Sequence, residues 1–87
     1  MTGTIPARLA RGVRLRRDGD AFLMLVPEGI VTLNETAYAA LELTDGARSL
    51  DAIAALLAER FDDRTGALAQ DVGDLFDEFV ARGYVLR

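Results

Sequence analysis

The sequence predicts an α+β domain with a winged helix-turn-helix-like arrangement, in which a three-stranded antiparallel sheet is followed by a three-helix bundle. The first third of the chain carries short apolar segments separated by turn residues, whereas the rest carries apolar residues at helical spacing. Strands followed by a run of helices are typical of α+β domains. With 87 residues, the chain has room for a single domain, 1–87, and one modest core.

The predicted sheet begins with a segment in which apolar and polar residues alternate, as in a half-buried strand. Asp18-Gly19 then supplies a hairpin turn, because glycine tolerates the positive φ of such turns. Phe22–Val26 is apolar without alternation, so one face is expected to pack on the main core and the other on the N-terminal segment, a second copy or a partner. Pro27-Glu28-Gly29 forms the next turn. The predicted strands are 13–17, 21–26 and 30–33.

The helices are marked by capping residues at their ends. Asn34 and Ser49 are favourable N-caps for the first two helices, and Asp45-Gly46 ends the first of them. Gly83 ends the third and longest helix, after which Tyr84–Leu86 can return as a short strand. The predicted helices are 35–44, 50–61 and 67–82.

Composition excludes much chemistry. The chain has no Cys, His or Lys, so disulfides, thiolate nucleophiles, Schiff bases and the commonest metal ligand are absent. We therefore expect no enzyme activity, no metal site and no cofactor. The longest apolar run is too short for a membrane span, and the N-terminus lacks the apolar region of a signal peptide. We expect a cytoplasmic protein that does not bind membranes.

Charge is unevenly distributed. Residues 1–17 hold five Arg and no acid, whereas the whole chain has a net charge of −4. The predicted third helix carries acids on its outer face, which would repel the phosphates of a nucleic acid, so we expect no nucleic-acid partner. Two alternatives stay open: a winged-helix nucleic-acid binder that uses Arg8–Arg17, and an oligomerisation module built on Phe22–Val26.

The third strand and third helix together suggest a peptide groove. A short strand at a sheet edge presents unpaired N–H and C=O groups that an extended peptide can complete. The apolar residues of the third helix cover an arc of about 140°, wider than the ~100° stripe of a simple core helix. Leu75 lies at the margin of that arc beside Asp71. The acidic rim favours a peptide that carries Lys or Arg.

Five segments resemble the PqqD family, the pyrroloquinoline quinone biosynthesis protein D, which is a group of RiPP recognition elements. The match runs in order and spacing along nearly the whole chain. Ala40 and Thr44 stand where the family more often has Ile and Cys, and Leu75-Phe76 reverses the usual order. The segments are RGVRLRRD (Arg11–Asp18), PEG with LNE (Pro27–Glu35), DG (Asp45-Gly46), DV (Asp71-Val72) and RGY (Arg82–Tyr84).

The resemblance implies a non-catalytic peptide chaperone in pyrroloquinoline quinone biosynthesis. Such a protein holds a PqqA-like precursor peptide as an added strand between the third strand and the third helix. It presents that peptide to a PqqE-like radical S-adenosylmethionine enzyme. We assign the enzyme-facing surface to the basic N-terminal segment, at Arg8, Arg11 and Arg14. The implied peptide-binding residues are Gly29, Ile30, Val31, Thr32, Leu33, Asp71, Asp74, Leu75 and Glu78.

Overall fold

The computed structural model describes residues 6–63 and 66–86. This part of the chain contains three helices and two antiparallel sheets, which confirms the predicted α+β class. None of the described helices has the length and apolar character needed to cross a membrane. The strands are β1 (Pro6–Leu9), β2 (Arg14–Asp18), β3 (Ala21–Val26), β4 (Gly29–Leu33), β5 (Asp45–Ser49) and β6 (Val85–Leu86). The helices are α1 (Glu35–Glu42), α2 (Leu50–Arg60) and α3 (Ala67–Ala81).

Strands β2, β3 and β4 form one sheet in that order, joined by two short hairpins. Gly19 has a φ of +61° in the first hairpin turn, a conformation that favours glycine. In the second hairpin, Val26 lies opposite Gly29 and Phe22 lies opposite Leu33. The middle strand is β3, so β4 lies at an edge of this sheet.

A second sheet, in the order β5-β1-β6, was not predicted. The expectation of one three-stranded sheet followed directly by three helices is therefore wrong in this respect, because β5 lies between α1 and α2. Asp45-Gly46, predicted only to end the first helix, begins β5, which pairs with β1 from the start of the chain. The predicted return strand is present as β6 and pairs with β1. Neither β1 nor β5 is rich in β-branched residues, so their pairing depends on tertiary contacts that sequence pattern does not reveal.

The helix starts agree with simple capping chemistry. The N–H of Ala37 donates to Oδ1 of Asn34 at 2.7 Å, and the N–H of Ala52 donates to Oγ of Ser49 at 3.2 Å. Asp63 accepts a hydrogen bond at the start of the third helix, from the N–H of Leu68 to its carboxylate at 3.1 Å. These bonds satisfy backbone donors that the first helical turn leaves free.

The hydrophobic core lies between the three helices and the inner faces of the sheets. Helix α1 supplies small residues to it, so neighbouring elements can approach closely, and α3 supplies aromatic rings. The largest fully buried side chains are Phe76, Met24, Leu41, Ile53, Leu57 and Val85.

We expect Phe76→Ala to lower the free energy of unfolding by about 3–5 kcal/mol, because it removes a fully buried ring and leaves a cavity. Urea denaturation followed by circular dichroism measures this loss. Leu56→Ala is the matched control, since that side chain is 42% exposed and its truncation should cost much less. A Phe76 variant as stable as the Leu56 variant would contradict this account of the core.

Candidate functional site

A groove lies between β4 and α3, and the start of α1 forms part of its wall. It consists of two depressions, of about 330 Å³ and 160 Å³, that share Asn34, Ala37 and Leu75. These shared residues place the two depressions next to each other along α3. The other lining residues are Val31, Thr32 and Leu33 of β4, Thr36 of α1, Leu68, Asp71, Val72, Glu78 and Phe79 of α3, and Arg82 and Tyr84 beyond it.

The strand side of the groove is an open sheet edge. Among the described strands, β4 pairs only with β3. The tight turn between them places Val26 and Gly29 in a hydrogen-bonded pair, and such pairs then alternate along an antiparallel ladder. Met24 with Val31 is the next hydrogen-bonded pair by this rule. The N–H and C=O groups of Ile30 and Thr32 therefore point away from β3, towards the open edge.

The helix side of the groove is one stripe of α3. Consecutive residues of an α-helix lie about 100° apart, so positions three and four apart share a face. Leu75 is half-buried at the centre of the stripe, between the buried Val72 and Phe79 and the exposed Asp71 and Glu78. This stripe gives the groove an apolar floor and an acidic rim.

The rim charges are accessible to solvent. Arg82 donates to Glu78 at 3.0 Å, and both side chains are more than half exposed, so water screens the pair. Asp71 is exposed at the lining of the smaller depression. Asp74 accepts from the side-chain amide of Gln70 at 3.1 Å on the exposed surface. A cationic side chain that enters the groove would meet carboxylates along the helix side.

One end of the groove is held by a bond between distant parts of the chain. The O–H of Tyr84 donates to Oε1 of Glu28 at 2.5 Å, which ties the turn before β4 to the segment after α3. The ring of Tyr84 also packs edge-on against Phe79, with centroids 5.8 Å apart. The hydrogen bond to the Glu28 carboxylate raises the pKa of Tyr84 above its ordinary value of 10.0, and desolvation of the phenol adds to the effect.

The chain matches a known protein family over the region that forms the groove. The family model of coenzyme PQQ synthesis protein D (PqqD) matches residues 21–85, which include both walls of the groove. The chain belongs to the PqqD family. The resemblance found in the sequence is thereby confirmed.

Individual PqqD-family relatives match most of the chain. A protein named PqqA binding protein from Rhizobium meliloti (strain 1021) is 37% identical over 84 residues, covering 94% of this chain and 86% of that protein. A protein of the same name from Kluyvera intermedia is 45% identical over 78 residues, covering 87% and 78%. A similar solved structure is the solution NMR structure of the PqqD truncation of Methylobacterium extorquens PqqCD, described as a functional and stand-alone RiPP recognition element. It has a TM-score of 0.78 and 28% identity, and the match covers 99% of this chain and 97% of that chain.

Most of the PqqD-like peptide-binding residues that the sequence suggested line this groove. Gly29, Ile30 and Asp74 do not line it. The Ile30 side chain lies on the outer face of the sheet, although its backbone faces the open edge. Asp74 is one residue before Leu75 and so lies about 100° around the helix from it. The suggested residues that line the groove are Val31, Thr32, Leu33, Asp71, Leu75 and Glu78.

Sequence reasoning missed several groove residues. On α3 they fall on the helical spacing that runs through Leu75, so that spacing was a usable signal. Asn34 and Ala37 line the groove because α1 begins where β4 ends, which only the tertiary structure shows. The missed lining residues are Asn34, Thr36, Ala37, Leu68, Val72, Phe79, Arg82 and Tyr84.

The three arginines suggested as an enzyme-facing surface are exposed but lie on different elements. Arg8 belongs to β1 in the second sheet, Arg11 lies in the turn that follows, and Arg14 begins β2 in the first sheet. Among the described residues, no group of His, Cys, Asp and Glu is placed to hold a metal ion.

The bond at the end of the groove predicts an alkaline transition. Since the folded pKa of Tyr84 is raised, the stability that this bond contributes is present below pH 10 and is lost as pH rises through the folded pKa. In a Tyr38→Phe background, which leaves one tyrosine, the phenolate absorbance should have its midpoint above 10.0.

Glu28→Gln in the same background is the control. It removes the carboxylate charge and should move the midpoint of Tyr84 down towards its ordinary pKa. Equal midpoints for the two variants would show that Glu28 does not control this phenol.

Proposed function

We propose that this chain is a non-catalytic, cytoplasmic peptide chaperone of pyrroloquinoline quinone biosynthesis, acting as a single peptide-binding domain. It binds a PqqA-like precursor peptide as an added strand between β4 and α3 and presents it to a PqqE-like radical S-adenosylmethionine enzyme. The observation that carries this proposal is the open edge of β4 beside an apolar, acid-rimmed groove. The relatives named PqqA binding protein and the related structure described as a RiPP recognition element support the same role.

An added strand would pair with the backbone groups of β4 that point away from β3. Each of Ile30 and Thr32 offers one N–H and one C=O to a neighbouring strand about 4.8 Å away. Each main-chain hydrogen bond contributes only about 0.5–1.5 kcal/mol net. Because these bonds do not read side chains, they would bind many extended peptides weakly, and the groove must supply selectivity.

The side chains of an added strand would point alternately to the two faces of the sheet. Those on the inner face would enter the groove beside Leu33, Leu75 and Phe79. The carboxylates of Asp71 and Glu78 would then attract a Lys or Arg of the peptide near these apolar anchors. The expected ligand is an extended peptide with apolar residues two apart and a nearby cation.

The winged helix-turn-helix-like arrangement is part of the same proposal, with a peptide in place of nucleic acid. In that arrangement α3 would face the ligand. Its exposed Asp71, Asp74 and Glu78 would repel phosphates, since affinity for duplex DNA comes largely from Lys and Arg. The acidic helix is therefore better suited to a peptide than to DNA.

Titration with the precursor peptide, followed by amide chemical shifts, tests the groove directly. We expect the largest shifts within residues 29–33 and 71–78, because these segments form the two walls. If the shifts were confined to the basic N-terminal segment and the amides of both walls did not shift, the groove would be ruled out as the peptide-binding site.

Leu75→Arg should weaken binding of the precursor peptide by about tenfold or more, because a charge replaces an apolar contact at the groove centre. Leu56→Arg on α2 is the matched control, since Leu56 does not line the groove. Calorimetric titration gives the affinities, and circular dichroism checks the fold. An unfolded Leu75 variant beside a folded control would identify Leu75 as a core residue.

Thr32→Pro tests strand addition itself. Proline removes the N–H that points to the open edge but leaves the β3–β4 ladder intact, so the fold should persist while peptide binding falls sharply. Val31→Pro removes an N–H of the ladder instead and should destabilise the domain. Undiminished peptide binding by a folded Thr32→Pro variant would show that the peptide does not pair with β4.

A further inference from the structure

The outer face of the sheet β2-β3-β4 is apolar at its centre and carries two arginines and one acid along β2, namely Arg14, Arg16 and Asp18. Met24 and Val26 are buried on the inner face, so the alternate residues Leu23 and Leu25 of β3 point outward. The register places these outward residues in two rows across the sheet. The rows are Arg14, Leu25 and Ile30, and Arg16, Leu23 and Thr32.

This outer face keeps a large apolar side chain in solvent. Ile30 is 66% exposed, and it is the most exposed of the large hydrophobic residues that the structure describes. Leu23 and Leu25 beside it are half-buried. The sequence pattern of β3 indicated cover on both faces, whereas among the described residues the core packs on the inner face, at Met24 and Val26. Apolar patches with a polar border are typical of protein-interaction sites.

The charge at the border of the outer face indicates the chemistry of the partner. Arg14 and Arg16 are exposed on β2, in a chain whose net charge is −4. Guanidinium groups pair well with carboxylates because their donors match carboxylate geometry. A two-fold contact between outer faces that stacks β2 on β2 would bring these arginines together at like charge, and a separate acidic partner avoids that repulsion.

The outer face is also continuous with the open edge of β4. In a peptide added to that edge, the residues opposite Ile30 and Thr32 would point to the outer face, whereas their neighbours would enter the groove. A partner on the outer face would therefore contact this chain and the outward side chains of the peptide together.

We propose that the outer face is a second docking surface, for a protein that presents an apolar patch bordered by Asp and Glu. The inference rests on the proposed function, because the continuity with the peptide edge identifies this protein as the enzyme that modifies the bound peptide. One face of the added strand is then held in the groove, and the other is offered to the enzyme.

The test compares two double charge reversals and uses the radical S-adenosylmethionine enzyme from the same organism as the probe. Arg14→Glu with Arg16→Glu changes the outer face. Arg48→Glu with Arg60→Glu changes two arginines on β5 and α2 that lie off the outer face, Arg60 being near Arg17 and Phe22 on the inner side of the sheet. Binding of the enzyme and of the precursor peptide is measured separately by calorimetry, at low and at high salt.

We expect the outer-face reversal to weaken enzyme binding about tenfold and to reduce its salt dependence, with peptide affinity unchanged within about twofold. The control reversal should leave both affinities unchanged. A second variant, Leu23→Thr with Ile30→Thr, places β-branched residues that favour strands at both positions and should weaken enzyme binding at any salt concentration.

Four results would overturn the inference: no enzyme binding by the wild-type chain, enzyme binding unaffected by the outer-face reversal, equal losses of peptide and enzyme binding in that reversal, or a dimer in sedimentation that the reversal dissociates. Failure of the proposed peptide binding is distinguishable, because the wild-type chain itself would then not bind the precursor peptide.

Discussion

The unpaired edge of β4 is the constraint on which the rest of this structure depends. An exposed strand edge is a hazard, because any extended chain can pair with it. Here the edge is short, and its outward hydrogen-bonding groups come only from Ile30 and Thr32. Helix α3 lies beside it and, in the proposed binding mode, would limit access to chains that also fit an apolar, acid-rimmed groove. The position of α3 would thus make an unspecific edge selective.

Contacts at the two ends of β4 connect the walls of the groove. Where β4 ends, Asn34 caps α1, so the chain turns directly from the strand into the helix that forms part of the wall. Where β4 begins, Glu28 is bonded to Tyr84, which follows α3. Both walls are therefore tied to each other through the fold. Such pre-organisation reduces the entropy that a bound peptide must lose together with its host.

The proposed division of a bound strand between two faces would suit a small chain that lacks Cys, His and Lys. The groove and the outer face lie on opposite sides of the same sheet, so an added strand could be held from one side and left accessible from the other. Holding a substrate near its enzyme raises the local concentration and needs no catalytic group on the carrier. The absence of Cys, His and Lys from the chain is compatible with such a carrier.

Local patterns determined much of this protein. Hairpin glycines and apolar runs located β2, β3 and β4, and Asn34 and Ser49 located the starts of α1 and α2. These features are readable because turns and caps depend on a few neighbouring residues. The helical spacing through Leu75 located the face of α3 that lines the groove.

Only the tertiary structure decided the second sheet and the far ends of the groove. Strands β1 and β5 pair across more than thirty intervening residues, and their own sequences carry little strand preference. The contact of Tyr84 with Glu28 likewise joins residues far apart in the chain. Pairing at such separation depends on how all the elements pack together, so it cannot be predicted from a local sequence pattern.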